Sequence, residues 1–138
     1  MEIILGLLLF AIVVMFFARL KRTWHHIRTM AESAERVRLR YYFASAALIV
    51  VPMLIIFAVI TAEVNETRLV DVPLIRQLFF IGWNLSGISG ILLALRASLP
   101  LKFARDGYGL IVVHGGLLAL LYMVWHMNHV GRSLGPVV

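Results

Sequence analysis

Cysteine is absent from the chain, which excludes disulfides, iron–sulfur clusters and thiolate zinc sites at once. Any metal or cofactor would have to be held by His, Met, Asn or a carboxylate. Charge is scarce as well: 14% of the 138 residues are charged, against about 25% in a soluble domain. Acidic residues are the scarcer sign, seven against thirteen Lys and Arg. They keep to the loops and ends of the apolar stretches, so an intramembrane carboxylate relay of the kind pumps use is missing. No G-x-S-x-G, H-E-x-x-H or phosphate-loop pattern occurs in the sequence, and nucleophilic, zinc-hydrolytic and nucleotide chemistry lose their usual signatures.

What the chain has in abundance is apolar side chains, 62% of the total. A spanning helix needs roughly 20 of them in succession. Four stretches approach that length, at about Ile3–Leu20, Tyr41–Ala62, Leu74–Leu95 and Tyr108–Val130. The expected fold is an all-α integral membrane domain, one unit over residues 1–138, with four transmembrane helices in an antiparallel bundle. Helices satisfy their own backbone hydrogen bonds inside hydrocarbon, where strands with open edges do not. The connections are then Lys21–Arg40, Glu63–Pro73 and Arg96–Gly107.

Basic residues set the orientation. Arg19, Lys21, Arg22, Arg28, Arg36, Arg38, Arg40, Arg96, Lys102 and Arg105 flank one side of the spans, and only Arg68, Arg76 and Arg132 the other. Ten against three puts the first and third connections in the cytoplasm and both termini outside. The first apolar run precedes its positive cluster and lacks an A-x-A-like site, so it is expected to stay as an anchor rather than be cleaved. The bias of Arg over Lys, eleven to two, fits a bacterial genome rich in G and C, and the expected location is a bacterial cytoplasmic (inner) membrane. The net charge of +6 would suggest nucleic acid in a soluble protein; beside membrane spans it points to lipid headgroups. Lys21, Arg22, Arg28, Arg36, Arg38 and Arg40 are the expected contacts. No Gly or Pro interrupts Lys21–Arg40, and Trp24, Ile27, Met30, Ala34 and Val37 recur near helical spacing, which predicts a helical cytoplasmic segment. It either lies on the lipid surface or extends the first two spans.

The residues with chemical potential lie in the third and fourth spans. Gly82, Ser86, Gly90, Ala94 and Ser98 recur every four residues and draw a small-residue stripe, along which backbones can approach closely. Asn84 sits ten residues into the third span, where an amide needs a partner. The carbonyl of Leu48, released by Pro52, is one candidate, and a quinone or similar polar ligand is another. His114 lies six residues inside the fourth span, about 9 Å deep at 1.5 Å per residue. An ionisable side chain there is a functional candidate by default. A haem usually takes two axial ligands, and the residues expected at matching depth are Met15 and Ser89. His114, and next His126, are therefore candidates for a single-ligand (bacterio)chlorophyll or a haem shared with another chain. The competing structural reading pairs His114 with Ser89. Met123, His126, Met127 and His129 gather at the outer end of the same span, and thioether with imidazole suits copper(I).

The functional expectation is a small, non-catalytic accessory subunit of a larger energy-transducing membrane complex, respiratory or photosynthetic, whose partners are the bilayer and other membrane subunits. An autonomous redox or copper-handling protein using His114 or the Met/His cluster is a second reading, and a small transporter a third.

Overall fold

The computed structural model describes residues 2–65, 71–98 and 104–133. Those residues are almost wholly helical, and among them no strand occurs. Five helices follow one another: α1 (Glu2–Thr29), α2 (Ala34–Leu48), α3 (Val50–Val64), α4 (Pro73–Ser98) and α5 (Ala104–Ser133). The second and third are two halves of one rod. Pro52 lacks an N–H and its ring crowds the carbonyl four residues back, at Leu48. The helix yields there, and the Ile49 N–H donates to Ala46 O at 3.2 Å, a tighter turn than the α-helical one.

Among the described residues three helices are long and apolar enough to cross a membrane: Ala34–Ala62, Pro73–Ser98 and Gly107–Met127. These contain the second and third predicted spans and the fourth as far as Met127. The first predicted span, Ile3–Leu20, lies within α1, a 28-residue helix. Lys102 and Arg68 fall outside the described residues.

The predicted cytoplasmic segment Lys21–Arg40 is not one helix. α1 runs on through it to Thr29, and after a short break α2 starts at Ala34, seven residues ahead of the predicted span. The break has a local cause. Ser33 is extended (φ −158°, ψ 163°) and its hydroxyl accepts from Arg36 N–H, the arrangement of an N-cap. Glu35 in the first turn complements the helix dipole. Glu32, just before the cap, bridges Arg36 at 2.6 Å and Arg40 at 3.2 Å. α1 and α2 pack on each other through Trp24 and Phe43, whose ring centroids lie 5.1 Å apart, and Ile27 is buried.

Helix α4 sits at the centre and shows how the chain divides its surfaces. Ser86, Gly90, Ala94 and Ser98 are buried, with Trp83, Gly87 and Ala97 beside them. Leu74, Leu78, Ile81, Leu85, Ile88, Leu92 and Leu95 are all exposed. A soluble helix does the reverse, since water drives its largest apolar groups inward. In lipid that drive vanishes, and small residues win the interior because they let backbones approach. α2 meets α4 with Tyr41 against Arg96 and Ser45 against Gly90, and farther along the rod Ile55 faces Gly82. α5 meets α4 through Gly107 against Ser98, His114 against Gly90 and Leu118 against Gly87. Along both contacts residue numbers rise on one helix as they fall on the other.

Candidate functional site

The buried polar centre is a three-helix node of His114, Ser45 and Gly90. His114 is 1% exposed and Ser45 fully buried. The imidazole Nε2 lies 2.9 Å from the Ser45 carbonyl oxygen and 3.4 Å from its hydroxyl. A carbonyl can only accept, so Nε2 carries the proton of the pair. The Ser45 hydroxyl donates to Gly90 O at 2.7 Å. One side chain on α5 and one on α2 thereby close on the backbone of α4.

Glycine makes the closure possible. A Cβ built on Gly90 would overlap the His114 ring at Cε1, Nε2 and Nδ1. The imidazole occupies the volume that any larger residue at 90 would claim. The small-residue line on α4 thus holds side chains of its neighbours rather than an open cleft: the His114 ring at Gly90 and Leu118 at Gly87. At the far end the Ser98 hydroxyl stands where a Cβ of Gly107 would be.

The expected partner Ser89 plays no part in the node. It is exposed on α4, one residue off the buried line, while Gly90 faces inward and admits the ring as far as Ser45. Met15, the other residue expected at this depth, is 63% exposed. Ser45 was missed in the sequence because it sits in the run Ala44-Ser45-Ala46-Ala47 and looks like one more small residue. A hydroxyl four residues inside a span is the signal that could have found it, since serine in such positions bonds across helices.

Asn84 belongs to a second polar cluster near the other end of α4. Its Nδ2 donates to Phe80 O at 2.8 Å, and its Oδ1 accepts from the Tyr122 hydroxyl at 2.9 Å. These bonds replace the expected one to Leu48: α5, not the kinked α2–α3 rod, supplies the partner at this depth. Phe80 packs against Trp125 and Tyr122 with centroids 4.5 Å and 5.9 Å away. The Arg76 guanidinium stands 5.9 Å over the Trp125 ring. Aromatic rings with a nearby cation are the usual anchor of a helix pair at a membrane boundary.

Met123, His126 and Met127 are exposed on α5, and the side chain of His129 lies outside the described residues. Among the described residues no group of three His, Cys, Asp or Glu side chains is arranged to hold a metal. Of the expected headgroup residues, Arg36 and Arg40 share Glu32, while Lys21, Arg22 and Arg28 are exposed on α1.

No protein-family model matches the chain, nor does any curated protein or solved structure.

Proposed function

We propose that this chain is a non-catalytic subunit of a larger membrane assembly, contributing helix-packing surface rather than a reactive group. The observation that carries the reading is the engagement of His114. Among the described residues it is the one buried ionisable side chain, and its Nε2 donates to Ser45 O while its ring fills the gap above Gly90. Its chemistry is directed at holding α2, α4 and α5 together. A further feature favours association: the exposed aliphatic row on α4.

In this reading α1 is a fourth span, the helices form an antiparallel bundle, and both termini lie outside a bacterial cytoplasmic membrane. The ten-to-three asymmetry of basic residues supports that orientation. The narrower expectation, an energy-transducing complex in which His114 ligates a pigment or shared haem, or Asn84 meets a quinone, asks more of the chain. His114 would have to release Ser45 and leave the Gly90 gap, and Asn84 would have to release Tyr122.

The test is purification from native membranes in mild detergent, with mass spectrometry of the co-purifying chains and a visible absorption spectrum of the same sample. Stoichiometric membrane partners are expected. A stable chain purified alone with a reducible bis-histidine haem band would overturn the subunit reading.

A further inference from the structure

On the face of α5 turned from α4, Met123, His126 and Met127 are exposed together, close to Met127 where the apolar span ends. We infer that these three side chains form a site for one copper(I) ion per chain, held by the two thioether sulfurs and one imidazole nitrogen. The site needs no partner chain, so it stands or falls apart from the subunit reading.

Helical register brings the donors together. α5 spends one face on α4: His114 lies against Gly90 and Leu118 against Gly87, Tyr122 bonds Asn84, and Trp125 packs on Phe80. Those positions are spaced four, four and three apart, so they mark a single line down the helix. Met123 stands one residue past Tyr122 and Met127 two past Trp125, which turns both away from that line. His126 is three residues from Met123 and next to Met127. Residues three and four apart on a helix have Cβ atoms about 5–6 Å from each other, a gap that two flexible methionines and an imidazole can close onto one ion.

None of the three is committed to packing. Met123 is 54% and Met127 59% exposed, so neither fills a gap in the bundle, the usual task of methionine in a core. Among the described residues none offers His126 a hydrogen bond or an ion pair, whereas the buried His114 has both its proton and its ring engaged. Placement at the end of the span also matters, because an aqueous ion reaches the donors there without crossing hydrocarbon.

The donor set selects the ion. Thioether sulfur is soft and uncharged and suits copper(I); magnesium, calcium and manganese want oxygen, and zinc wants thiolate, imidazole or carboxylate. The chain has no cysteine, and the three donors include no carboxylate, so harder ions lack the ligands they require. Thioethers bind without losing a proton, and only the imidazole must be neutral.

The test is an anaerobic titration of the full chain in mild detergent with copper(I) buffered by bicinchoninate and ascorbate, followed by X-ray absorption of the copper-loaded sample. One copper(I) per chain is expected, in a shell of two sulfurs and one nitrogen, displaced by silver(I) and not by zinc(II). Met123→Leu/Met127→Leu conserves volume and the apolar face, and it should weaken binding by more than about tenfold, the loss that removing even a hydrogen-bond partner of a metal ligand commonly brings. His126→Gln should weaken it as well. Met15→Leu, at an equally exposed methionine on α1, and His25→Gln/His26→Gln, at two exposed histidines, should bind as the parent does. Parent affinity in the double methionine variant, equal losses in Met15→Leu, or a copper shell without sulfur would each overturn the site. Half an equivalent of copper per chain would overturn it in favour of an ion shared between two copies.

Discussion

The Nε2 of His114 donates to the backbone carbonyl of Ser45, 2.9 Å away on another helix. That bond reaches past Gly90, whose missing side chain is the space the ring uses. Histidine, serine and glycine therefore act as one unit, and each can be tested against the others.

Gly90→Ala should destabilise the protein by about 1–3 kcal/mol, the usual cost of forcing an extra group into a packed interior, because the new methyl overlaps the imidazole. Gly90→Leu should do worse and release packed partners. Gly116→Ala, where a Cβ would meet nothing within 4 Å, should be neutral or mildly stabilising, as expected for Gly→Ala in a helix. Denaturant or thermal unfolding in detergent, read by circular dichroism, checks all three. An unshifted midpoint in Gly90→Leu would remove the node from the account.

His114→Phe keeps a ring in the gap but loses the donor. In the native assembly it should lower thermal stability while leaving the visible absorption spectrum unchanged. Loss of one pigment or haem per complex would instead mark His114 as a ligand. Ser45→Ala keeps the carbonyl that His114 uses, so its cost should be modest, ~0.6 kcal/mol for a typical hydrogen bond between spanning helices. Because the two side chains touch in one network, the double variant should depart from additivity by roughly 0.5–3 kcal/mol.

Asn84 and Tyr122 should be coupled in the same way. The Tyr122 hydroxyl donates to Asn84 Oδ1 at 2.9 Å, so Asn84→Leu and Tyr122→Phe each break the same bond. A double-mutant cycle on unfolding midpoints should return a coupling of roughly 0.6–1.7 kcal/mol, the range measured for such bonds in membranes. Strict additivity would show that the amide finds its partner elsewhere.

Orientation is tested by single-cysteine labelling, since the chain supplies no cysteine of its own. Ser33→Cys should resist a membrane-impermeant maleimide applied to intact cells, and Thr67→Cys should react. Labelling of Ser33→Cys from outside would invert the proposed topology.

The sequence by itself determined that the chain is helical and belongs to a membrane. Those properties depend on sums along the chain: the length of an apolar run against the bilayer's thickness, and the backbone's need to bond within its own helix. The kink at Pro52 is equally local, since a missing N–H acts on the turn beside it. His114 and the Gly82–Ser98 stripe were visible as unusual residues for the same reason. Their partners were not visible, because a partner depends on how far each helix is rotated and shifted against its neighbours. A rotation of one residue separates Ser89, which faces outward, from Gly90, which admits the ring. The run Lys21–Arg40 gave no hint of its break, because the Ser33 cap and the Glu32 bridge to Arg36 and Arg40 form where two helices turn back on each other. Likewise, only packing set Tyr41 beside Arg96, 55 positions away in sequence.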